Sequence, residues 1–410
     1  MSVTRTRPRF TLAALMAGIA LSLHGTPAWG QSPAKPAAKA TAAFKGFLVQ
    51  PFEGVDLAVT SLDVAANGDI LLGALSPDGP HLDPGLRVAR FDAAGKRLWE
   101  RNPSPRAELI STVIARAAAG GTLVLHDETP KELPQLTLVK LDAGGTTLWR
   151  RELGPGAASD LLVDADGSAV VSGSVAREKS GGIEALVMRV SSDGLPVWRR
   201  RFGGESADGG NSADMLGMTG NAPLVGGLAD IAYDEDDAVL ASRGSAMKLR
   251  PDGQPAWRLF FGDGKTLTMV GGLAPGPVGD AYVLTLTEAA AASPFIELVR
   301  LRADGSIAWR RPLAGPADQE INDIVALPDG GLALAGSEPQ GGEARVAVLV
   351  LLDGEGIERA RVNYRGYKMQ RTLMLRRHPA GGFVLLFEGP AGSDADALNY
   401  LARVDDEGRF

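Results

Sequence analysis

Three aspartates hold matching places in this chain: Asp160, Asp230 and Asp323 each stand seven residues before a turn position, at Gly167, Asp237 and Gly330. Carboxylates brought into one funnel by repeated strands would offer the several hard oxygen donors that calcium, or a cationic group on a partner, requires. The simpler alternative is that each one bonds its own loop, because Asp readily accepts from nearby backbone amides at strand ends. Equivalent places elsewhere hold Val113 and Gly272, so the acidic ring is incomplete. The turns Asp164-Ala165-Asp166-Gly167 and Asp234-Glu235-Asp236-Asp237 have a calcium-loop flavour but lack the later bidentate acid, and hairpin turns explain them more simply. His81 and His126 are expected on loops of one face and His378 at a turn on the other, which opposes a histidine metal site. With no cysteine in the chain, disulfides, thiolate zinc sites and cysteine nucleophiles are excluded. No Gly-x-Ser-x-Gly elbow or phosphate loop is present.

Binding is the other chemistry on offer. The segment NYRGYKMQRTL carries Tyr364, Arg365, Tyr367, Lys368 and Arg371, residue types enriched where proteins meet, and is expected on an exposed loop face. A longer link over residues 203–227 is a second contact loop or a tolerated insertion.

The elements that position these residues repeat. An apolar strand, a short turn ending in Gly, three residues, then Trp and Arg recurs as RFDAAGKRLWER, KLDAGGTTLWRR, RVSSDGLPVWRR, KLRPDGQPAWRL and RLRADGSIAWRR. In a sixth copy Ala360 takes the tryptophan place, and a seventh ends at Phe410. The turn glycines are Gly95, Gly145, Gly194, Gly253, Gly305, Gly356 and Gly408, one about every fifty residues. Each copy is preceded by a second hairpin signature, as at Asn67-Gly68, Asp166-Gly167 and Asp329-Gly330 between runs of Val, Leu and Ile. Four antiparallel strands repeated seven times predict an all-β chain folded as a seven-bladed β-propeller. The last copy lacks an outer strand. LVQPFEG from Leu48 parallels WRRRFGG from Trp198, so an N-terminal strand is expected to close the ring, with Leu48 in the tryptophan place. The tryptophans themselves are expected to pack between neighbouring blades.

Carried by these repeats, the chain resembles the tryptophan-docked propellers of bacterial envelopes, among them the quinoprotein dehydrogenases and the propeller of outer-membrane protein assembly. Ala89, Asp92, Gly95 and Trp99 match the quinoprotein motif loosely, with a shorter turn and no threonine. Asp329, Gly330, Gly331 and Gly336 are similar to the secreted DGG…G…LDxxGxxxW repeats. The resemblance implies a secreted ring and no particular activity; the quinoprotein branch commonly sets a vicinal disulfide against its cofactor, which this chain cannot form.

Arg5, Arg7 and Arg9 precede an apolar run from Phe10 to about Leu23 and a small-residue end at Ala28-Trp29-Gly30, which reads as a signal peptide over 1–30 cleaved near Gly30. Residues 31–43, rich in Ala, Pro and Lys, read as a flexible linker, and 44–410 as the propeller. The net charge is −7 and becomes more negative without the leader, which opposes nucleic acid as a partner. The expectation is a monomeric periplasmic or secreted propeller without enzymatic activity, binding a protein or envelope component through its loop face. The alternative is a hydrolase or lyase acting on a saccharide or lactone at the acidic funnel, with or without a divalent cation such as Ca.

Overall fold

Short apolar runs rich in Val, Leu and Ala, separated by glycine turns, leave the backbone little choice but paired strands. The computed structural model describes residues 46–52, 57–76, 85–104, 110–118, 121–128, 133–177, 182–203, 210–219, 221–233, 239–289, 292–342, 344–389 and 398–410. The expected leader and linker lie outside them, as do His81 and Asp234 to Asp237. Within them run 28 strands, β1 to β28 in chain order, with two 3-10 turns and no α-helix. No helix among the described residues is long and apolar enough to cross a membrane.

The strands form antiparallel sheets of four: β2–β5 over 58–101, β6–β9 over 110–155, β10–β13 over 157–202 and β22–β25 over 320–363. The sets β14–β17 (215–261) and β18–β21 (267–312) are joined by one parallel bridge, Ser242 to Leu267, into an eight-stranded sheet. In the remaining sheet β1 (Phe47–Val49) lies beside β28 (Leu398–Val404), followed by β27 (Phe383–Gly389) and β26 (Arg371–Arg377). The first strands of successive sets touch in the order β2, β6, β10, β14, β18, β22, β26, and β26 returns to β2, which is the circuit of a β-propeller.

Neighbouring sheets are locked by one recurring contact. The Trp198 ring lies on the turn of the next unit, where its Nε1 donates to the Pro251 carbonyl at 2.8 Å. The turn residue beneath it is Gly253, with φ of +79° and so little room that a Cβ there would fall 2.7 Å from the ring. Trp99 and Trp257 donate likewise to Ala143 and Ala303, at 2.8 and 3.1 Å. Trp149 and Trp309 cover Gly194 and Gly356.

Two places differ from the sequence expectation. Phe47, not Leu48, pairs with Arg403 as Trp198 pairs with Arg189, and the Phe47 ring covers Gly95 as the tryptophans cover their glycines. The N-terminal strand therefore closes the ring one residue out of the expected register, which exchanges the faces its side chains present. In the fourth unit, the long link of 203–227 contains β14 (Met215–Thr219), a first strand whose hairpin closes between Thr219 and Ala222. What reads as the first hairpin there is the junction of β15 (Ala222–Tyr233) and β16 (Val239–Leu249).

The entry to β14 holds a carboxyl under strain of burial. Asp214 accepts from the Ser212 hydroxyl at 2.5 Å, and the cost of removing its charge from water, only partly offset by bonds from Ser212 and Ser159, raises its pKa to about 6.

Two outcomes follow for stability. Replacing Trp198 by Ala should lower the free energy of unfolding by about 3–5 kcal/mol, read from denaturant midpoints, whereas a change under about 1 kcal/mol would mean that the ring contributes no core packing. Because the folded pKa of Asp214 lies above its unfolded value, its contribution to stability is complete below pH 4 and lost as pH rises through about 6. Asp214→Asn should therefore be more stable than the parent at pH 7.5, by up to about 2 kcal/mol given partial solvent screening, and the advantage should shrink as pH falls below 6 and vanish below about pH 3.5. Reading the difference between variant and parent cancels the opposite titration of His126, whose pKa burial and Arg150 depress to about 3.

Candidate functional site

The innermost strands place alternate residues toward the propeller axis and the intervening ones, such as Leu62, Leu161 and Leu375, into the core. Asp160 on β10 (Ala157–Val163) and Asp323 on β22 (Glu320–Ala326) do occupy equivalent places, each beside a register shift in its strand. Their oxygens are already engaged. Asp160 accepts from Arg116 at 2.8 Å and from the Leu216 amide at 2.9 Å, and Asp323 accepts from Arg376 at 2.6 Å and from the Leu375 amide at 2.9 Å. Both carboxylates thus tie one sheet to the next. Asp230 does not join them: it sits on the second strand of its unit, in a left-handed conformation with φ of +52°, and faces Arg243 at 3.9 Å.

Sequence reasoning missed the arginines and Asp63, which accepts from the Ala117 amide at 2.7 Å. Burial would lower the pKa of Arg376, but Asp323, Asp63 and Asp160 outweigh it and hold the guanidinium charged. The expected acidic funnel is therefore a charge-balanced network, and no group of three or more His, Cys, Asp or Glu side chains among the described residues could hold a metal ion. Asp63, Arg116 and Arg376 stand on the first strands that follow or precede those of the aspartates around the circuit, a neighbourhood that only the structure shows.

A second constellation surrounds His126 on β7 (Gly121–Glu128). Its Nε2 lies 2.9 Å from the Ser104 hydroxyl and its Nδ1 3.5 Å from Glu128. Arg150 donates to the same Ser104 oxygen at 2.8 Å and pairs with Glu128. Serine and histidine are both buried, and burial with the Arg150 charge depresses the imidazole to about 3, so it is neutral at ordinary pH. His378 lies in a different sheet's turn, its ring accepting from the Ala380 amide.

The loop face carries the remaining site. The hairpin of β23 (Leu332–Gly341) and β24 (Ala344–Leu352) faces the link from β25 (Glu358–Asn363) to β26, which contains a 3-10 turn at Arg365–Tyr367. Backbone bonds clamp that link: Tyr364 donates to the Ala347 carbonyl, and Ala347 donates to the Met369 carbonyl, both at 3.0 Å. Between hairpin and link opens a cavity of about 390 Å³ lined by Arg345, Arg365, Lys368 and Arg371, with Gln340 and Gln370 beside them and Met369, Val346 and Ala344 as apolar wall. Arg345 and Arg371 share Glu320 at 3.4 and 3.7 Å. Among the described residues the side chains of Arg365 and Lys368 have no partner.

Of the five residues read as a contact patch, three therefore line one cavity. Tyr364 does not face outward: it is 2% exposed, its hydroxyl donates to the Gly408 carbonyl at 3.0 Å, and its ring meets Phe387 edge-on at 4.7 Å. Burial holds its hydroxyl firmly protonated. Tyr367 is half exposed and packs on Phe410 at 4.3 Å.

The fold has solved counterparts. A puromycin hydrolase superposes with a TM-score of 0.55 at 17% identity, covering 88% of this chain and 53% of its own. An ancestral GH74 enzyme gives 0.52 at 12%, covering 87% and 49%, and the Pyrococcus horikoshii acylaminoacyl peptidase gives 0.51 at 11%, covering 84% and 51%. The chain thus spans about half the length of each of these structures, and at such identities the likeness is one of fold. No curated protein matches the chain by sequence. Residues 134–338, half of the chain, match the family model described as outer membrane protein assembly factor BamB. The chain belongs to that family of β-propellers.

Proposed function

We propose that this chain is an exported seven-bladed propeller, monomeric in the periplasm or beyond the cell, that binds a protein or envelope component through its loop face and has no catalytic activity of its own. The observation that carries the reading is the cavity between the β23–β24 hairpin and the β25–β26 link, where four cationic side chains gather and, among the described residues, Arg365 and Lys368 stand without partners. Unpaired cations fixed at a cavity wall are available to a ligand without breaking any internal bond. The family's description as an assembly factor of outer-membrane proteins agrees with a role in binding rather than turnover. The signal-like leader of residues 1–30 agrees with export.

A hydrolase is the second reading, and one observation favours it: Ser104, His126 and Glu128 are ordered as nucleophile, base and orienting acid. The same geometry weakens it, because Arg150 occupies the serine oxygen and leaves the imidazole too weak a base near neutral pH.

Reversing the charge with Arg365→Glu and Lys368→Glu should reduce retention of the outer-membrane fraction on the immobilised protein by tenfold or more at 0.15 M salt, with the melting temperature unchanged. Equal retention by parent and variant would remove the loop face from consideration. For the second reading, a fluorophosphonate ester should leave Ser104 unlabelled and hydrolysis of aryl esters at background. Covalent labelling of Ser104 that disappears in Ser104→Ala would establish the hydrolase instead.

A further inference from the structure

Resting on the loop-face reading, we infer that the cavity receives a single phosphate monoester group carried on a compact organic body. Two unpaired cations do not by themselves name an anion; their arrangement does. Arg365 opens a one-turn 3-10 segment and Lys368 caps its end, and both line this cavity, so the two charges border one compact space rather than successive sites along a chain. Lys368 holds this place in a left-handed conformation with φ of +58°, a geometry lysine seldom adopts. Arg345 and Arg371 face them across the same cavity, already oriented by Glu320 and, for Arg345, by the Ser337 hydroxyl and the Asp318 carbonyl. Planar guanidinium groups fixed in this way suit the several oxygens of a tetrahedral dianion, and a lysine adds a point charge.

The rest of the wall argues for what carries the phosphate. Gln340 and Gln370 supply amide donors and acceptors fit for hydroxyl groups, while Met369, Val346 and Ala344 offer apolar contact. A volume of about 390 Å³ matches a small organic ligand. A long polyanion is disfavoured because the whole chain carries a net charge of −7. A phosphate monoester reaches this site either as a soluble sugar or polyol phosphate or as the exposed headgroup of a phospholipid; the chemistry recognised is the same.

The test is calorimetric titration of the full mature chain at low ionic strength with glycerol 3-phosphate, glycerol and succinate, and flotation with vesicles of phosphatidylcholine containing 20% phosphatidic acid. Glycerol 3-phosphate should bind, glycerol should not, and succinate should bind at least tenfold more weakly. Arg365→Ser with Lys368→Asn, the asparagine chosen because it accepts the left-handed backbone, should weaken glycerol 3-phosphate at least tenfold without shifting the melting temperature. Binding of the soluble ester with no flotation identifies a soluble ligand, and flotation lost in the double variant identifies a lipid headgroup; either supports the assignment. Succinate binding as tightly as the phosphate, or equal affinity in the double variant, overturns it. If the charge reversal abolishes retention of the outer-membrane fraction while no phosphate ester binds, the ligand class is wrong and the loop-face reading stands. If phosphate binds and retention is unaffected by the reversal, the loop-face reading fails instead.

Discussion

The ring holds together because, at every junction but one, an aromatic side chain of the outer strand lies on the turn glycine of the next sheet. The contact couples two requirements that a sequence must meet at once. The turn needs a positive φ, which only glycine adopts at little cost, and the ring needs the Cβ of that same residue to be absent. Where the indole also donates to a turn carbonyl, as at Trp99, Trp198 and Trp257, the polar edge of the ring is satisfied while its faces are buried. A ring of sheets has no free end, so the same contact has to be made at the seam, and Phe47 makes it without an indole.

The candidate site follows from the one place where that series fails. Ala360 stands where a tryptophan should cover Gly408, and a methyl group cannot fill the berth. Leu349 and Val362 close on Gly408, and Tyr364 joins them from the following link, reaching the Gly408 carbonyl with its hydroxyl and setting its ring against Phe387 and Phe410. Drawing Tyr364 inward fixes the backbone that comes next, and the 3-10 turn immediately after it delivers Arg365 and Lys368 to the cavity wall. A missing core residue thus becomes a held surface loop, which gives a preorganised site on a segment that would otherwise be a mobile connection.

Much of the architecture was legible because it is written in short, repeated words: Gly at each turn, Trp four residues on, apolar alternation between. The failures have physical causes. The run MLGMT of β14 is brief and interrupted by glycine, so its hairpin looked like an insertion and displaced Asp230 into the wrong strand. The seam register depended on whether Phe47 or Leu48 met Arg403, a choice made by the fit of a ring over Gly95 and not by any spacing. Tyr364 looked like an interface residue because its role is set by an absence at Ala360, four positions earlier. The aspartates were found by alignment, but their arginines lie one sheet away, roughly fifty residues off in the chain, where no local pattern reaches.

Charge shows the same division between structure and function. On the innermost strands each aspartate is met by an arginine or a backbone amide of the neighbouring sheet, so a pattern that resembled a cation site closes upon itself and leaves little for a ligand. Ser104 likewise joins His126 to Arg150, its hydroxyl within hydrogen-bond distance of the imidazole and accepting from the guanidinium. Against these closed networks, Arg365 and Lys368 stand out because, among the described residues, they lack partners while lining a cavity. The Tyr364 anchor places Arg365 and Lys368 on the wall of the same cavity. An anion arriving at that turn would meet cations that no internal carboxylate among the described residues has already engaged.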